Sequence, residues 1–270
     1  EYNSIDRGEK MSNQIRILHM IGSLEYGGSQ AMVINLYKAI DRDKIQFDFI
    51  MDKPQNNALL SVVKQLGARV YTLPYFKGNN YMEVKNAWDA FLKEHTEYRI
   101  LHSHIRSYAS IYLPIAKKYG LKTIIHSHST SNGKGIKAIA KSIMQYPLRW
   151  QADYYFACSV KAGQWLFGNK IVKKDNFVVL KNAIDAKKFV YNDNQRIEAR
   201  NSLGIKKEFV LGFLGRVTEP KNPFFVIDVF KEICNIKDNC RLLFVGEGDL
   251  LENIKTYAKQ LGVIENIIFT

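Results

Sequence analysis

Residues 210–221 read V-L-G-F-L-G-R-V-T-E-P-K, and this segment decides how the chain is interpreted. The apolar segment 209–214 predicts a buried strand, and Gly215 follows at its carboxyl end. Arg216 comes next, and Lys221 lies at or near the start of a predicted helix. An arginine can bind two phosphate oxygens at once, a lysine supplies a point charge, and a helix start adds free N–H groups. The pattern therefore predicts a diphosphate site.

The chain alternates apolar, strand-like segments with amphipathic, helix-like segments. Predicted strands cover residues 15–21, 47–51, 69–73, 100–104, 122–126, 153–158 and 178–180, and then 209–214, 241–245 and 266–270. Predicted helices between them include 30–40, 81–94, 196–203, 223–233 and 250–261. Strands that alternate with helices form parallel sheets through crossover connections. The expected fold class is therefore α/β, with two Rossmann-like parallel-sheet domains.

A polar segment without clear periodicity, residues 182–194, is the predicted boundary between the two domains. The first domain is expected at 14–190 and a partial second domain at 191–270. Residues 1–13 are expected to be a leader or added residues, and residues 1–14 carry no secretory signal. With only three strands, the second domain is expected to be incomplete, because a parallel sheet needs more covered neighbours.

The composition is that of an ordinary globular protein, with 46% apolar and 24% charged residues in a chain of 270. No apolar run approaches the roughly 20 residues that cross a bilayer. The three cysteines, Cys158, Cys234 and Cys240, form neither a C-x-x-C pair nor a metal-ligand cluster. They are expected to be reduced thiols of a cytosolic protein.

The formal net charge is +13. Nucleic acid is disfavoured as a partner, because the lysines and arginines are spread along the chain and no nucleic-acid-binding motif accompanies them. An anionic nucleotide sugar and an anionic membrane surface together explain the charge better. A solvated basic surface without a partner is the remaining alternative.

Seven strings in the chain carry a family resemblance. G-R-V-T-E-P-K-N at 215–222 resembles the G-R-x-x-x-x-K-(G/N) motif of GT-B glycosyltransferases, in particular family 4, the retaining enzymes. The other six follow in the order that this family shows: I-L-H-M-I-G-S-L-E-Y-G-G-S-Q (17–30), L-H-S-H (101–104), I-I-H-S-H-S (124–129), A-D-Y-Y-F-A-C-S (152–159), N-A-I-D (182–185) and V-G-E-G-D (245–249). The pattern is similar to transferases that build bacterial capsule and exopolysaccharide.

The resemblance implies a retaining hexosyltransferase that moves a sugar from a nucleotide diphosphate, expected to be UDP-linked, to an acceptor hydroxyl. The acceptor would be a saccharide or a lipid-linked saccharide. Arg216 and Lys221 would hold the departing diphosphate, and neither a cofactor nor a metal would be needed. The enzyme would be cytoplasmic, peripheral on the inner face of the cell membrane. The family continues beyond Thr270 with an E-x7-E segment that contacts the donor, so the fragment is expected to be inactive alone.

Gly27 and Gly28 lie in the first strand-to-helix loop, where open α/β sheets bind ligands. Glycines let backbone N–H groups approach phosphate closely, and the resemblance implies that this loop contacts the donor diphosphate. A flexible turn is the alternative. The loop lacks the G-x-G-x-x-G spacing, which argues against a nicotinamide cofactor.

Four of the six histidines lie at the ends of two predicted strands: His102, His104, His126 and His128. Residues two apart on a strand point to the same face, so each pair could act together. Zinc chelation is one interpretation, although no carboxylate or cysteine lies at matching spacing. Buried histidines bonded to the backbone are the second. The resemblance supplies a third: His104 is a catalytic residue facing the transferred sugar, and His128 lies toward the acceptor.

The family often carries an acidic residue directly after the first of these histidines, and this chain has Ile105 and Arg106 there.

An acidic pattern elsewhere in the chain, Asp41-Arg42-Asp43, matches a D-x-D metal motif of another transferase fold. It lies between a predicted helix and a strand, not at the carboxyl end of a strand, so it is interpreted as a solvated turn.

Gly246 and Glu247 follow a predicted strand and precede a helix. Their backbone could hold the base or ribose of the donor. Alternatively, residues 246–249 form a strand-to-helix turn with Asp249 as the N-cap.

Residues 133–150 combine apolar residues at helical spacing with three lysines, Lys134, Lys137 and Lys141. A basic amphipathic helix of this kind can lie on a membrane. The same pattern fits a helix that covers the sheet, and both alternatives stay open.

Two functions compete with glycosyl transfer. A sugar-nucleotide epimerase of the same two-domain fold would need acid and base carboxylates and no acceptor groove. A non-catalytic protein that binds anionic lipid or another polyanion would show no preference for nucleotides.

Overall fold

The computed structural model describes residues 14–53 and 57–270. The chain divides into two compact units that meet between Asp185 and Ala186, five residues before the predicted boundary at 190. The expected leader at 1–13 lies outside the described residues. The N-A-I-D string ends where the units divide.

The first unit contains one seven-stranded parallel sheet in the order β3-β2-β1-β4-β5-β6-β7. Its strands are β1 (Ile15–Gly22), β2 (Ile45–Met51), β3 (Val70–Thr72), β4 (Ile100–Ser103), β5 (Lys122–Ser127), β6 (Tyr154–Ala157) and β7 (Phe177–Val179). Its helices are α1 (Gly28–Ala39), α2 (Leu60–Gln65), α3 (Tyr81–Glu94), α4 (Ala109–Lys118), α5 (Ile136–Gln145), α6 (Leu148–Gln151) and α7 (Val160–Phe167).

Two apolar cores cover the faces of this sheet. Alternation along β1 sends Leu18 and Met20 into one core and Ile21 into the other. The first core also receives side chains of α3 and α4, and the second receives those of α1. Burial on both faces is typical of a parallel sheet, and it leaves the strand ends as the surface where ligands can bind.

The second unit contains a three-stranded parallel sheet in the order β10-β9-β8. Its strands are β8 (Phe209–Leu214), β9 (Cys240–Val245) and β10 (Ile267–Phe269), and its helices are α8 (Asp193–Ser202), α9 (Pro223–Ile236) and α10 (Leu251–Gln260). Ile227, Phe230 and Ile254 from α9 and α10 pack on Leu242 and Phe244 of β9. The predicted α/β class with two parallel sheets is confirmed. The cysteine thiols of α9 and β9, at positions 234 and 240, lie 3.2 Å apart.

A buried carboxylate ties together the amino ends of the strands in the first sheet. Asp48 of β2 is fully buried and accepts two hydrogen bonds of 2.6 Å from the guanidinium of Arg16 in β1. It also accepts hydrogen bonds from the hydroxyl of Tyr98 at 2.8 Å and from the backbone N–H of Arg69 at 2.7 Å. Because these residues lie on or directly before β1, β2, β3 and β4, one side chain links four strands.

We expect Asp48→Asn to lower the free energy of unfolding by about 3–5 kcal/mol, because the largely buried guanidinium of Arg16 would lose its charged partner. The matched control is Asp89→Asn, which removes an exposed pair with Lys118 and should cost less than about 1 kcal/mol. Urea denaturation of both variants measures the difference. Equal losses would contradict the assigned role of Asp48.

Candidate functional site

The strand order creates a crevice at the carboxyl ends of β1 and β4. Connections from β1 lead through β2 to β3 on one side, and the chain then returns to place β4 on the other side. In open α/β sheets, ligands bind where the order reverses in this way. The loops after β1, β2 and β4 therefore form the candidate site of the first unit.

The loop after β1 uses its glycines in two ways. Gly22 has φ +84°, a left-handed conformation that favours glycine, and a Cβ there would lie 2.9 Å from the flexible end of the Ile105 side chain. Gly27 is the N-cap of α1, and Gly28 opens the helix two residues earlier than predicted. Apart from its chain neighbours and the backbone of α1, no described atom lies within 4 Å of the position that a Cβ of Gly28 would occupy. The predicted phosphate-contacting glycines thus lie at an open helix N-terminus.

A polar cavity of about 370 Å³ lies at the same edge of the sheet. Its walls include Gly22, the carboxylate of Asp52, and the cationic side chains of Lys53, Arg106 and Lys141. Arg106 is held in place by hydrogen bonds from its guanidinium to the backbone oxygen and hydroxyl of Ser129, at 3.2 and 2.6 Å. The cavity can therefore bind hydroxyl groups together with a negative charge.

Asp52 is the buried carboxylate of this cavity, with 7% exposure. Its Oδ2 accepts a hydrogen bond from the hydroxyl of Tyr108, and its Oδ1 has no hydrogen-bond partner within the described part of the chain. Burial raises the pKa of the Asp52 carboxyl, and the hydrogen bond from Tyr108 partly opposes this shift. An unpaired, buried carboxylate oxygen beside a cavity can accept a hydrogen bond from a ligand hydroxyl.

Five histidines lie on one face of the sheet, within or directly after β1, β4 and β5: His19, His102, His104, His126 and His128. Their ring nitrogens form two hydrogen-bonded groups. His104 lies between His19 and His128, at 3.0 and 2.9 Å, and His102 lies 3.2 Å from His126. The first four rings are buried and that of His128 is partly exposed.

Burial disfavours the charged form of these imidazoles. It lowers the pKa of His102 to about 3, that of His126 to about 2 and that of His128 to about 4. The pKa values of His19 and His104 also fall well below the usual range, and burial is again the main cause. All five rings are therefore neutral at physiological pH.

His104, the predicted catalytic histidine, lies at the crevice but has both ring nitrogens at hydrogen-bonding distance from other histidines. A direct contact with a sugar would have to replace one of these partners, and its catalytic role stays a prediction. The interpretation of the cluster as histidines bonded to the backbone is wrong, because the rings bond to one another. Sequence reasoning missed His19, whose place in the cluster follows from its register opposite His102.

The predicted amphipathic helix exists as α5, but its apolar face does not cover the sheet. Ile136, Ile139 and Ile143 are 85%, 62% and 68% exposed. Ile139 and Ile143 instead line an open, mostly apolar groove of about 800 Å³ together with Trp165. The alternative of a helix packed on the sheet is therefore wrong for these isoleucines.

In the second unit, the predicted diphosphate residues lie at the carboxyl end of β8. Gly215 follows the strand, and the side chain of Lys221 lies over it, with Cδ 4.0 Å from the position that a Cβ of Gly215 would occupy. Arg216 and Lys221 are both exposed. Asn222, in the left-handed conformation with φ 47°, directs the chain into α9, which begins at Pro223. The predicted proximity of Lys221 to a helix start is confirmed.

The loop of Gly246 and Glu247 packs against the loop of residues 215–217. The backbone N–H of Val217 donates to the oxygen of Glu247 at 2.8 Å, and that of Gly215 donates to the oxygen of Val245 at 3.1 Å. Gly246 has φ +144°, and a Cβ there would overlap the carbonyl oxygen of Gly215. Asp249 is not an N-cap, because α10 is preceded by Leu250 without a side-chain cap. The loop of Gly246 and Glu247 therefore shapes residues 215–217 through backbone contacts.

Asp41 and Asp43 lie in an exposed turn between α1 and β2, and Asp41 pairs with Lys44 at 3.1 Å. None of the helices within residues 14–53 and 57–270 is long and apolar enough to cross a membrane.

Comparison with known proteins identifies two family matches that together span most of the chain. Residues 26–188 match the family described as Glycosyltransferase Family 4. Residues 195–270 match the family described as Glycosyl transferases group 1. The two matches correspond closely to the two compact units.

Among individual proteins, EpsF of Bacillus subtilis (strain 168), whose name describes it as a glycosyltransferase, is 26% identical over 264 residues. That match covers 96% of this chain and 68% of EpsF. The crystal structure of Anabaena HepE in complex with UDP and glucose superposes with a TM-score of 0.76 at 17% identity, over 95% of this chain and 69% of HepE. A crystal structure of UDP-N-acetylglucosamine 2-epimerase superposes with a TM-score of 0.58 at 12% identity, over 95% of this chain and 68% of the epimerase. At these identities, the two structures show the shared fold alone.

We expect Gly246→Ala to lower the free energy of unfolding of the second unit by at least about 2 kcal/mol, because the new Cβ would force the Gly215 loop away. Gly212→Ala in β8 is the matched control. Apart from its chain neighbours, no described atom lies within 4 Å of its Cβ position, so it should change stability by about 1 kcal/mol or less. Thermal unfolding of both variants provides the comparison. A stable Gly246→Ala variant would show that the two loops are not packed as described.

Proposed function

We propose that this chain, which belongs to glycosyltransferase family 4, transfers a sugar from a nucleotide diphosphate to an acceptor hydroxyl. One observation carries the proposal: Lys221 lies over Gly215 at the carboxyl end of β8, directly before the N-terminus of α9. A cation, a glycine whose missing side chain allows close approach, and free N–H groups at a helix start together suit a diphosphate. Arg216, which follows Gly215, adds a second cation able to bind two oxygens.

Fixed cations at this place act on the rate of transfer. Negative charge grows on the leaving diphosphate as the glycosidic bond breaks, and preorganised positive groups stabilise that charge more than the ground state. The sugar then passes through an oxocarbenium-like state. We infer transfer with retention of the anomeric configuration, as the family resemblance of the motif at 215–222 implies.

The proposed donor is UDP-linked. Its support is the fold shared with HepE, which has been crystallised with UDP and glucose, together with the diphosphate chemistry of residues 215–221. Neither a metal nor a cofactor takes part in this proposed transfer, because Arg216 and Lys221 supply the positive charge.

The proposed acceptor binds in the polar cavity of the first unit. The free Oδ1 of Asp52 would accept a hydrogen bond from an acceptor hydroxyl, while Lys53, Arg106 and Lys141 would hold an anionic group. A saccharide carrying a phosphate or diphosphate has both features. A lipid-linked saccharide of exopolysaccharide or capsule biosynthesis is therefore the proposed acceptor.

Helix α5 gives this acceptor a route from a membrane. Three isoleucines of α5 are exposed at helical spacing, and Lys134 and Lys137, which do not line the acceptor cavity, lie on or next to the same helix. Apolar side chains that enter the interface and lysines that contact anionic headgroups are the two parts of a peripheral membrane surface. We propose that α5 docks the enzyme on an anionic membrane from the cytoplasmic side.

Epimerization is the rival within the same fold. An epimerase would convert a nucleotide sugar with no acceptor present, whereas a transferase releases UDP and requires the acceptor. A protein that only binds polyanions would bind anionic vesicles and show no selectivity for UDP over inorganic phosphate.

We expect Arg216→Ala and Lys221→Ala each to weaken UDP binding roughly 10- to 100-fold, since each removes a charge-assisted contact worth about 1.5–3 kcal/mol. Lys237→Ala is the matched control, because Lys237 lies over Phe209 at the opposite end of β8. Isothermal titration with UDP measures the dissociation constants of the parent protein and of the variants. Unchanged UDP affinity in both variants would rule out the proposed diphosphate site.

We expect the double variant Ile139→Ser, Ile143→Ser to reduce binding to phosphatidylglycerol vesicles on the order of 10- to 100-fold, because two apolar anchors are lost. Ile197→Ser, at an exposed isoleucine of α8, is the control and should bind like the parent protein. Co-sedimentation with phosphatidylglycerol and with phosphatidylcholine vesicles separates apolar from charge-driven binding. Equal binding by the double variant and the control would place the membrane surface elsewhere.

A further inference from the structure

The five-histidine cluster contains ring nitrogens arranged closely enough to bind a metal ion. Two triads have their ligand nitrogens within 4.8 Å of one another, and they share His104. One triad adds His19 and His102, and the other adds His126 and His128. Three bound nitrogens would leave a fourth position of a tetrahedral site for water or another ligand.

The two triads differ in access and in unused nitrogens. The ring of His19 is 1% exposed and lies against Phe47, with ring centroids 4.2 Å apart, so an ion could not easily reach the first triad. The second triad includes His128, which is partly exposed. Two of its nitrogens, His126 Nε2 and His128 Nδ1, are buried and have no hydrogen-bond partner within the described residues. The second triad therefore reaches the surface through the ring of His128 and has two unused ligand atoms.

The outer histidines are placed to support these ligands. If His126 binds a metal through its unused Nε2, its Nδ1–H can donate to His102 Nε2, which lies 3.2 Å away. If His104 binds through Nδ1, its Nε2–H can donate to His19 Nδ1 at 3.0 Å. Metal-bound histidines usually donate their second N–H to such an acceptor, which fixes the tautomer and the ring orientation. The three inner histidines thus supply three ligand rings, and the two outer ones support two of them. His104 would exchange its present contact with His128 Nε2 for the metal.

Ligand chemistry selects the ion. Neutral imidazole suits Zn²⁺, Cu²⁺ and Ni²⁺, whereas Mg²⁺, Ca²⁺ and Mn²⁺ prefer oxygen ligands. Zn–N bonds of about 2.0–2.1 Å in tetrahedral geometry need nitrogens about 3.4 Å apart, which side-chain rotations on the order of 1 Å can provide. The absence of a carboxylate or cysteine at matching spacing does not count against a site made only of imidazoles.

We propose that His104, His126 and His128 form a binding site for a divalent transition-metal ion, with Zn²⁺ as the first candidate, and that His19 and His102 orient two of its ligands. The site is distinct from the diphosphate residues of the second unit. Because it engages His104, an ion bound here would hold that ring away from any substrate contact. The proposal concerns metal binding and does not depend on the proposed sugar transfer.

The test is a Zn²⁺ titration of the metal-free protein against a chromophoric chelator, combined with Co²⁺ absorption spectroscopy. We expect one tightly bound ion per chain and the visible absorption bands of tetrahedral or five-coordinate Co²⁺. His128→Gln, at the partly exposed ligand, should weaken Zn²⁺ binding by more than about 100-fold, and His102→Gln should weaken it about 10- to 100-fold.

His95→Gln is the matched control, because His95 is the sixth histidine and pairs with Glu97 outside the cluster. It should bind Zn²⁺ like the parent protein. Circular dichroism checks that each variant is folded. The proposal is overturned if the parent protein takes up no Zn²⁺ under these conditions, or if His128→Gln and His95→Gln bind it equally well.

Discussion

The position of β1 between β2 and β4 is the constraint on which the first unit depends. Parallel pairing on both sides of β1 buries the strand. Because the chain connects to β2 on one side of β1 and later to β4 on the other, a crevice opens at the carboxyl end of β1. The same pairing aligns His19 with His102 and brings the loop of Gly22 against Ile105. Toward the opposite, amino-terminal ends of the strands, the hydrogen bonds of Asp48 link four strands. The sheet is thus stabilised by Asp48 at the end away from the crevice, and the histidines and Asp52 lie toward the crevice.

A parallel sheet covered on both faces normally excludes unpaired polar groups, because each costs about 1–3 kcal/mol when left without a partner. The five histidines largely satisfy this demand by bonding to one another, since a neutral imidazole has one donor and one acceptor nitrogen. A chain of such rings must still end in unused atoms, and these are found at His19, His126 and His128. The cluster therefore retains the free-energy cost of these unpaired nitrogens. A ligand that bound the nitrogens of His126 and His128 would remove part of that cost.

Much of the fold could be predicted from local pattern, because strand-helix alternation and the glycine after an apolar segment depend on neighbours in sequence. The strand that ends in Gly215, with Arg216 and Lys221 after it, was predicted for the same reason, and its binding of diphosphate stays a prediction. His19 was missed because its partners lie on another strand, and only the order of the strands brings them together. Asp52 gives no sequence signal, since a single carboxylate after a strand resembles any solvated turn. The exposure of α5 could not be predicted either, because an amphipathic helix has the same pattern on a sheet and on a membrane.

Two glycines, one in each unit, serve opposite physical purposes. At Gly246, the missing side chain lets one loop press its backbone against the carbonyl of Gly215, so the residues that precede α9 are held by packing and by backbone hydrogen bonds. At Gly28, nothing described fills the space where a side chain would lie, so the packing of the protein gives no reason for glycine. This open position lies at the N-terminus of a helix and has room for a ligand to approach the backbone N–H groups. Gly246 therefore allows two loops to pack closely, whereas Gly28 leaves space unfilled at the start of α1.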